Sequence, residues 1–405
     1  MRYLFGFVCV LALGVMPMVG CGETGEPGGS GGSAGDRGRG GDGGQGGDAG
    51  QGGDAGQGGD GGQGGDGHDG SPEAKLIEQY LDEYAESYLD PEGAGFALAV
   101  VGPDGVVIEK THGMAVLEES IPIEMDTSFD LASVSKMFAA MAVLILYEEE
   151  ALELDDPITR FFPEGPAAWD AITVHHLLTH QSGFPEFATL QGWTNEEILD
   201  WLVDEPLEIG PGEQYIYSNA NYTTLALLVE RVAEQPFERF MDERIFDPLG
   251  MENSEVVPRF PPDVDGGALS YLGSLPLTFP SRATGATQQY SSVEDLKRWE
   301  AELRDPTLVS LETLALALTG HVTRGDGCDY GYGWVICEDN GAWPYNQNHN
   351  GFIHGFRTMF FRVPSDGLAV MMACNGAFEG AYRAFMWNVA YLYLEGQIWQ
   401  ENVTP

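Results

Sequence analysis

From Met137 to Tyr147 the chain reads MFAAMAVLILY, eleven residues with no charge among them. A helix that is apolar all round has no face to give to water, so it must be enclosed on every side. The residues just before it, DLASVSK from 130 to 136, bring in the polar side chains, and Asp130 is suited to cap the helix. Ser133 and Lys136 stand three apart, which stacks them on one face of the opening turns. A cation at a helix N-terminus is disfavoured by the dipole and again by burial, so both effects push Lys136 toward a neutral amine. A neutral amine beside a hydroxyl is a base that can take its proton, which turns Ser133 into a nucleophile for an acyl carbon. The competing expectation is a lysine that threads its ammonium past apolar neighbours to water.

Composition confines the fold to residues 71–405. The first residues, MRYLFGFVCVLALGVMPMVG, carry Arg2, an apolar run and then small residues before Cys21, the layout of an export signal over 1–21. The run from Tyr3 to Val19 is shorter than the roughly 20 residues of a spanning helix, and Pro17 interrupts it. Met18-Val19-Gly20-Cys21 resembles a bacterial lipobox. Two outcomes are open: a lipoprotein anchored through Cys21 and facing the periplasm or cell exterior, or plain secretion. Residues 22–70 follow as a Gly/Asp/Gln-rich tether, with glycine at every third position from Gly41 to Gly65. Without proline it cannot form a collagen helix, and its six-residue repeat is not the nine of a calcium-binding roll. Its 49 residues have a root-mean-square reach of roughly 40 Å. With 63 acidic against 19 basic residues and a formal charge of −44, the chain repels nucleic acid.

SPEAKLIEQYLDEYAESYLD, from 71 to 90, opens on a Ser-Pro cap and repeats apolar residues at helical spacing. FALAVV and VVIEKTH flank the turn Gly102–Gly105, and FRTMFFRV and LAVMMACN flank Pro364–Gly367, which predicts two antiparallel hairpins at opposite ends of the domain. Between them, roughly 130 to 310, the pattern is mostly helical. GAYRAFMWNVAYLYLEGQIW reads as a closing helix suited to lie beside the first. The expected fold is α+β: an antiparallel sheet flanked by N- and C-terminal helices, with a helical subdomain inserted midway. Of the five cysteines, Cys328, Cys337 and Cys374 fall in this domain, so one disulfide and one leftover thiol are possible. Cys328 to Cys337 is disfavoured if YGYGWVIC is extended, because the strand would hold the sulfurs too far apart.

Two further segments carry chemistry. Tyr217-Ser218-Asn219 sits in a polar loop before a helix with apolar Leu225, Leu227, Leu228 and Val232. A tyrosine there can relay a proton, and an asparagine amide can hold both a substrate carbonyl and the lysine. In NQNHNGFIHGFRTMF, Gly351 follows His349-Asn350 and lets another backbone or a ligand approach the strand. The amide of Phe352, paired with that of Ser133, can then receive a tetrahedral oxyanion.

Ser-X-X-Lys, Tyr-X-Asn and a basic-X-Gly strand, in this order, resemble the serine β-lactamase and penicillin-binding-protein superfamily. ITVHHLLTHQSGFP, PGEQYIYSNANY, IFDPLGMENS, SSVEDLKRW and YGYGWVI are similar to its class C-like branch of esterases, D-aminopeptidases and DD-carboxypeptidases. The resemblance implies Ser133 as acylated nucleophile, Lys136 as its proton acceptor and Tyr217 as second proton carrier. Asn219 would orient substrate, and His349, Asn350, Gly351 and Phe352 would form the binding strand. It implies a serine hydrolase of ester or peptide-like amide substrates, with β-lactamase, DD-carboxypeptidase or a non-catalytic wall-peptide binder as alternatives. No cofactor is implied. The expected partner is a small molecule or short peptide, and membrane contact only through the N-terminal anchor.

One departure bears on substrate. Penicillin-destroying enzymes carry Lys-Thr-Gly where this chain has His349-Asn350-Gly351, and a histidine is mostly neutral above about pH 6.5. That favours neutral esters or amides, unless Arg282 or Arg357 supplies the missing cation. His175, His176 and His180 invite a zinc reading, since His176 and His180 share a helical face, but a third ligand is lacking and no metal is expected. Trp343, Tyr345 and Phe352 either line an acyl pocket or pack.

Overall fold

Ser71 starts the first helix by accepting a hydrogen bond from the Ala74 amide at 3.1 Å, and Pro72 occupies the first helical position, where a missing N–H costs nothing. The computed structural model describes residues 67–187, 192–278, 280–341, 343–376 and 382–396. The expected export signal and residues 22–66 of the expected tether therefore lie outside the described residues.

In chain order, strand β1 (Gly67–His68) precedes helix α1 (Pro72–Tyr88), then β2 (Phe96–Gly102), β3 (Gly105–His112), β4 (Phe129–Asp130) and α2 (Ser135–Glu148). The insert continues with α3 (Val174–Leu178), α4 (Asn219–Ala233), β5 (Glu255–Val256), β6 (Gln289–Ser291) and α5 (Val293–Arg304). The large sheet is completed by β7 (Val322–Thr323), β8 (Cys328–Tyr330), β9 (Val335–Cys337), β10 (Asn346–Ile353), β11 (Phe356–Val363) and β12 (Leu368–Cys374), before helix α6 (Tyr382–Glu395).

Nine strands form one antiparallel sheet in the order β1-β3-β2-β12-β11-β10-β9-β8-β7. The two hairpins, far apart in sequence, are neighbours in it: β2 pairs with β12 from Phe96 opposite Cys374 to Val101 opposite Ala369. Alternation along β2 sorts its side chains. Phe96, Leu98 and Val100 face a core closed by α1 and α6, with Ile77, Leu81, Phe385 and Val389. Ala97 and Ala99 face the larger core, which is covered by α5 and α2; the Phe138 and Trp299 rings there stand 4.2 Å apart. Every residue of α2 from Ser135 to Leu146 is buried, as its charge-free sequence requires. The insert is mostly helical, with a small sheet of β4, β6 and β5 that leads into the start of α2. Among the described residues no helix is long and apolar enough to cross a membrane.

The disulfide expectation is overturned: Cys328 is bonded to Cys337, and Cys374 is a buried free thiol. YGYGWVIC is not extended throughout. Gly331 N donates to Trp334 O at 2.8 Å, and Gly333 adopts φ +80°, so the chain reverses between β8 and β9. That reversal places Cys328 directly opposite Cys337, with Cα atoms 4.4 Å apart.

Candidate active site

The nucleophile candidate sits on a strained turn. Ser133 lies in a single 3-10 turn, Ala132–Val134, and Ala132 before it is held at φ +49°, a region costly for a residue with a β-carbon. Asp130 holds the turn: its Oδ1 accepts from Ala132 N at 2.8 Å, and its Oδ2 accepts from Gln288 Nε2 at 3.1 Å. The expected helix cap is thus replaced by a turn closed two residues on, because the 3-10 turn intervenes before α2 begins at Ser135. Burial pushes the Asp130 carboxyl up to about 7. Thr358 Oγ1 donates to Leu131 O at 2.6 Å and ties the same turn to β11.

Lys136 is fully buried, which rules out the snorkelling alternative. Its Nζ donates to Asn219 Oδ1 at 2.8 Å and to Ala286 O at 3.0 Å, and stands 3.2 Å from Ser133 Oγ. Asn219 Oδ1 and the Ala286 carbonyl can only accept, so they take two N–H bonds. In the neutral amine the remaining tetrahedral position is the lone pair, and it faces Ser133. Burial drives the Lys136 ammonium down to about 7, against the opposing pull of Glu186. Tyr217 Oη donates to Ser133 Oγ at 2.8 Å, and burial raises its hydroxyl above the ordinary tyrosine range.

Tyr217 and Asn219 come from the segment that opens α4, where Ser218 caps the helix by accepting from Ala220 N at 3.2 Å. His180, buried and held neutral by that burial, accepts from Ser218 N at 3.3 Å and lays its ring 4.4 Å from the Tyr217 ring. One functional neighbour escaped the sequence reading. Glu186 accepts from Asn219 N at 2.6 Å and from Asn219 Nδ2 at 3.1 Å. Its only sequence signal is its place just after SGFP, one acid among 63.

β10 forms the opposite wall. β9 pairs with it only as far as Asn348, and beyond that point the nucleophile turn lies against it. Gly351 is where they touch: a β-carbon there would fall 2.3 Å from Leu131 O. The expected close approach at Gly351 is therefore made by the turn that carries Ser133. His349 is buried; its Nδ1 donates to Asn350 O at 2.9 Å, and in the neutral ring its Nε2 accepts from Tyr330 Oη at 3.1 Å. Asn350 is half-buried, and Phe352 is exposed with the Arg357 guanidinium 3.4 Å above its ring.

The Beta-lactamase family model matches residues 74–395. The chain belongs to the β-lactamase family. A penicillin-binding protein of Bacillus subtilis (strain 168) is 27% identical over 334 residues, 75% of this chain and 72% of that protein. The esterase EstB of Burkholderia gladioli is 29% identical over 369 residues, 76% of this chain and 93% of that one. Among solved structures, the octameric penicillin-binding protein homologue from Pyrococcus abyssi matches with TM-score 0.69 and 27% identity, over 80% of this chain and 77% of that chain.

In this member of the β-lactamase family several other expected residues have structural partners. His176 caps α3 with Thr173, while His180 lies past the helix end at φ +57°, so the two do not share a helical face. His175 Nδ1 meets Tyr332 Oη at 2.8 Å. Arg282 donates to Gly192 O at 2.8 Å and to Glu197 at 3.3 Å. Trp343 packs between Phe361 and Trp387 under α6, and Tyr345 donates to Leu318 O at 3.3 Å. Beside the nucleophile turn lies a cavity of about 170 Å³, bounded by Asp130, Leu269, Leu277, Tyr290, Ile353 and Phe356.

Proposed function

We propose that the protein is a serine hydrolase that cleaves uncharged carboxylic esters or peptide-like amides through an acyl-enzyme on Ser133. The observation that carries this reading is the direction of the Lys136 lone pair, fixed on Ser133 by two acceptors. Lys136 takes the Ser133 proton as Oγ bonds to the acyl carbon, and the amides of Ser133 and Phe352 receive the oxyanion. Collapse breaks the bond to the leaving alcohol or amine, which takes a proton relayed through Tyr217 and Lys136. Water then attacks the acyl carbon by the reverse proton path and releases the acid.

One feature of the site supports neutral substrates over β-lactams. His349, at the place of the usual lysine, has both ring nitrogens bonded within the fold. An esterase among the relatives agrees with this preference. A fluorophosphonate probe is expected to add one adduct mass at Ser133 and to stop hydrolysis of p-nitrophenyl esters, while Ser133→Ala loses both responses with its melting nearly unchanged. Ester turnover retained by Ser133→Ala refutes the assignment, and a stable penicillin adduct without ester turnover moves the protein to the carboxypeptidase or sensor class.

A further inference from the structure

Asn219 can serve Lys136 only in one orientation. Rotating its terminal amide by half a turn would set an N–H donor against the amine and remove the acceptor that aims the lone pair. Glu186 prevents this from two sides. Its Oε1 accepts from Asn219 Nδ2 at 3.1 Å, and its Oε2 accepts from Asn219 N at 2.6 Å. The second bond also satisfies the amide of the first residue of α4, which no carbonyl within the helix can reach. One carboxylate therefore clamps both the backbone and the side chain of the same residue, and a carboxylate has only acceptors to offer.

We infer that Glu186 is the positioning residue of this site: it locks Asn219 with its carbonyl oxygen toward Lys136 and its amide nitrogen away, and so keeps the lysine lone pair on Ser133. The inference rests on the hydrolase reading for its kinetic consequence, though not for its geometry. Glu186 acts in a second way, because its negative charge favours the Lys136 ammonium and opposes the burial that disfavours it. The other titratable groups facing Lys136 are Tyr217 and Tyr222, whose rings lie 5.0 and 5.7 Å from Nζ, and the buried His180.

Glu186→Gln separates position from packing. The glutamine has the same shape, but its one oxygen can accept from the Asn219 backbone or from the Asn219 side chain, not both. The expected result is a kcat/KM lower by roughly 10- to 100-fold at the pH plateau, with unchanged melting. Removing the negative charge also moves the acid limb of the pH profile to lower pH, whereas Glu186→Asp keeps the charge and leaves the limb in place. Lys136 is one of four lysines, with Lys75, Lys110 and Lys297, so its titration can be followed directly by NMR of labelled lysine. A Lys136 midpoint that stays put in Glu186→Gln, or a rate within twofold of wild type, overturns the inference. Absence of any ester turnover by the wild type would sink the hydrolase reading alone, because the lysine titration still tests the clamp.

Discussion

Lys136 destabilises the protein that carries it, and the sign of that effect can be read from pH. Its folded value, about 7, lies below the ordinary 10.5 of an exposed lysine. Between those values the unfolded chain holds a proton that the folded chain has shed, so stability rises as pH climbs through this window. Asp130 runs the other way: its carboxyl is raised from 3.8 to about 7, and its contribution falls as pH rises across that lower range. Above pH 7 the lysine effect therefore stands apart. Relative to Lys136→Met, the wild type is expected to gain about 2 kcal/mol of unfolding free energy between pH 7 and 9, read from denaturant curves at each pH. Parallel curves for the two proteins would mean that the amine is charged in the fold, and the base would be lost with it. The lysine was legible in the sequence because a charge in front of eleven uncharged residues must be either buried or threaded past them to water, and the Tyr217-Ser218-Asn219 and His349-Asn350-Gly351 segments favoured the first. Glu186 was not: a carboxylate among 63 acids reveals its role only when the fold brings it to Asn219, 33 residues away.

Elements marked by a long apolar run or a clear helical period were readable, and one set by an unrecognised reversal was not. The two long hairpins follow from apolar runs on either side of their turns, the Ser71-capped first helix from an apolar repeat of about four residues, and the buried α2 from its unbroken charge-free run. The β8–β9 reversal rests instead on Gly331 and Gly333 inside a segment that reads as one strand, so the Cys328–Cys337 bond was misjudged with it. β10 is an intermediate case: its glycine signals a close approach, and only the fold shows that the visitor is the turn before Ser133. Contact at that point constrains the nucleophile mechanically. A methyl group at 351 would meet the backbone oxygen of Leu131 at 2.3 Å, and a backbone atom pinned by Thr358 cannot step aside as a flexible side chain can. Gly351→Ala should therefore shift Ser133 by a fraction of an ångström to an ångström, lowering kcat by roughly 100-fold while costing only about 1–3 kcal/mol of stability. A variant with wild-type kcat would show that β10 tolerates displacement and does not set the nucleophile's position.

At the scale of the whole chain, charge and location have to be reconciled. We propose that the protein is exported and held at a membrane by a lipid on Cys21, with the glycine-rich segment between anchor and domain. Those residues precede the described ones, so the reading rests on MVGC and on the apolar run before it. A chain of net charge −44 gains nothing from an anionic leaflet, whose surface potential repels it. Electrostatic adsorption, the usual route of peripheral proteins to a membrane, is closed to it. Whatever holds it must be apolar. The two binding modes answer salt oppositely, since high salt releases a protein held by charge and leaves a lipid-held one in place. Membranes from cells expressing the full chain should therefore retain it through a molar salt wash and release it only to detergent, and Cys21→Ser should send it to the soluble fraction. If the Cys21→Ser variant still sediments with membranes, the anchor is not at Cys21; if salt alone strips the wild type, or the wild type is found in the medium, plain secretion of a cleaved domain becomes the better account.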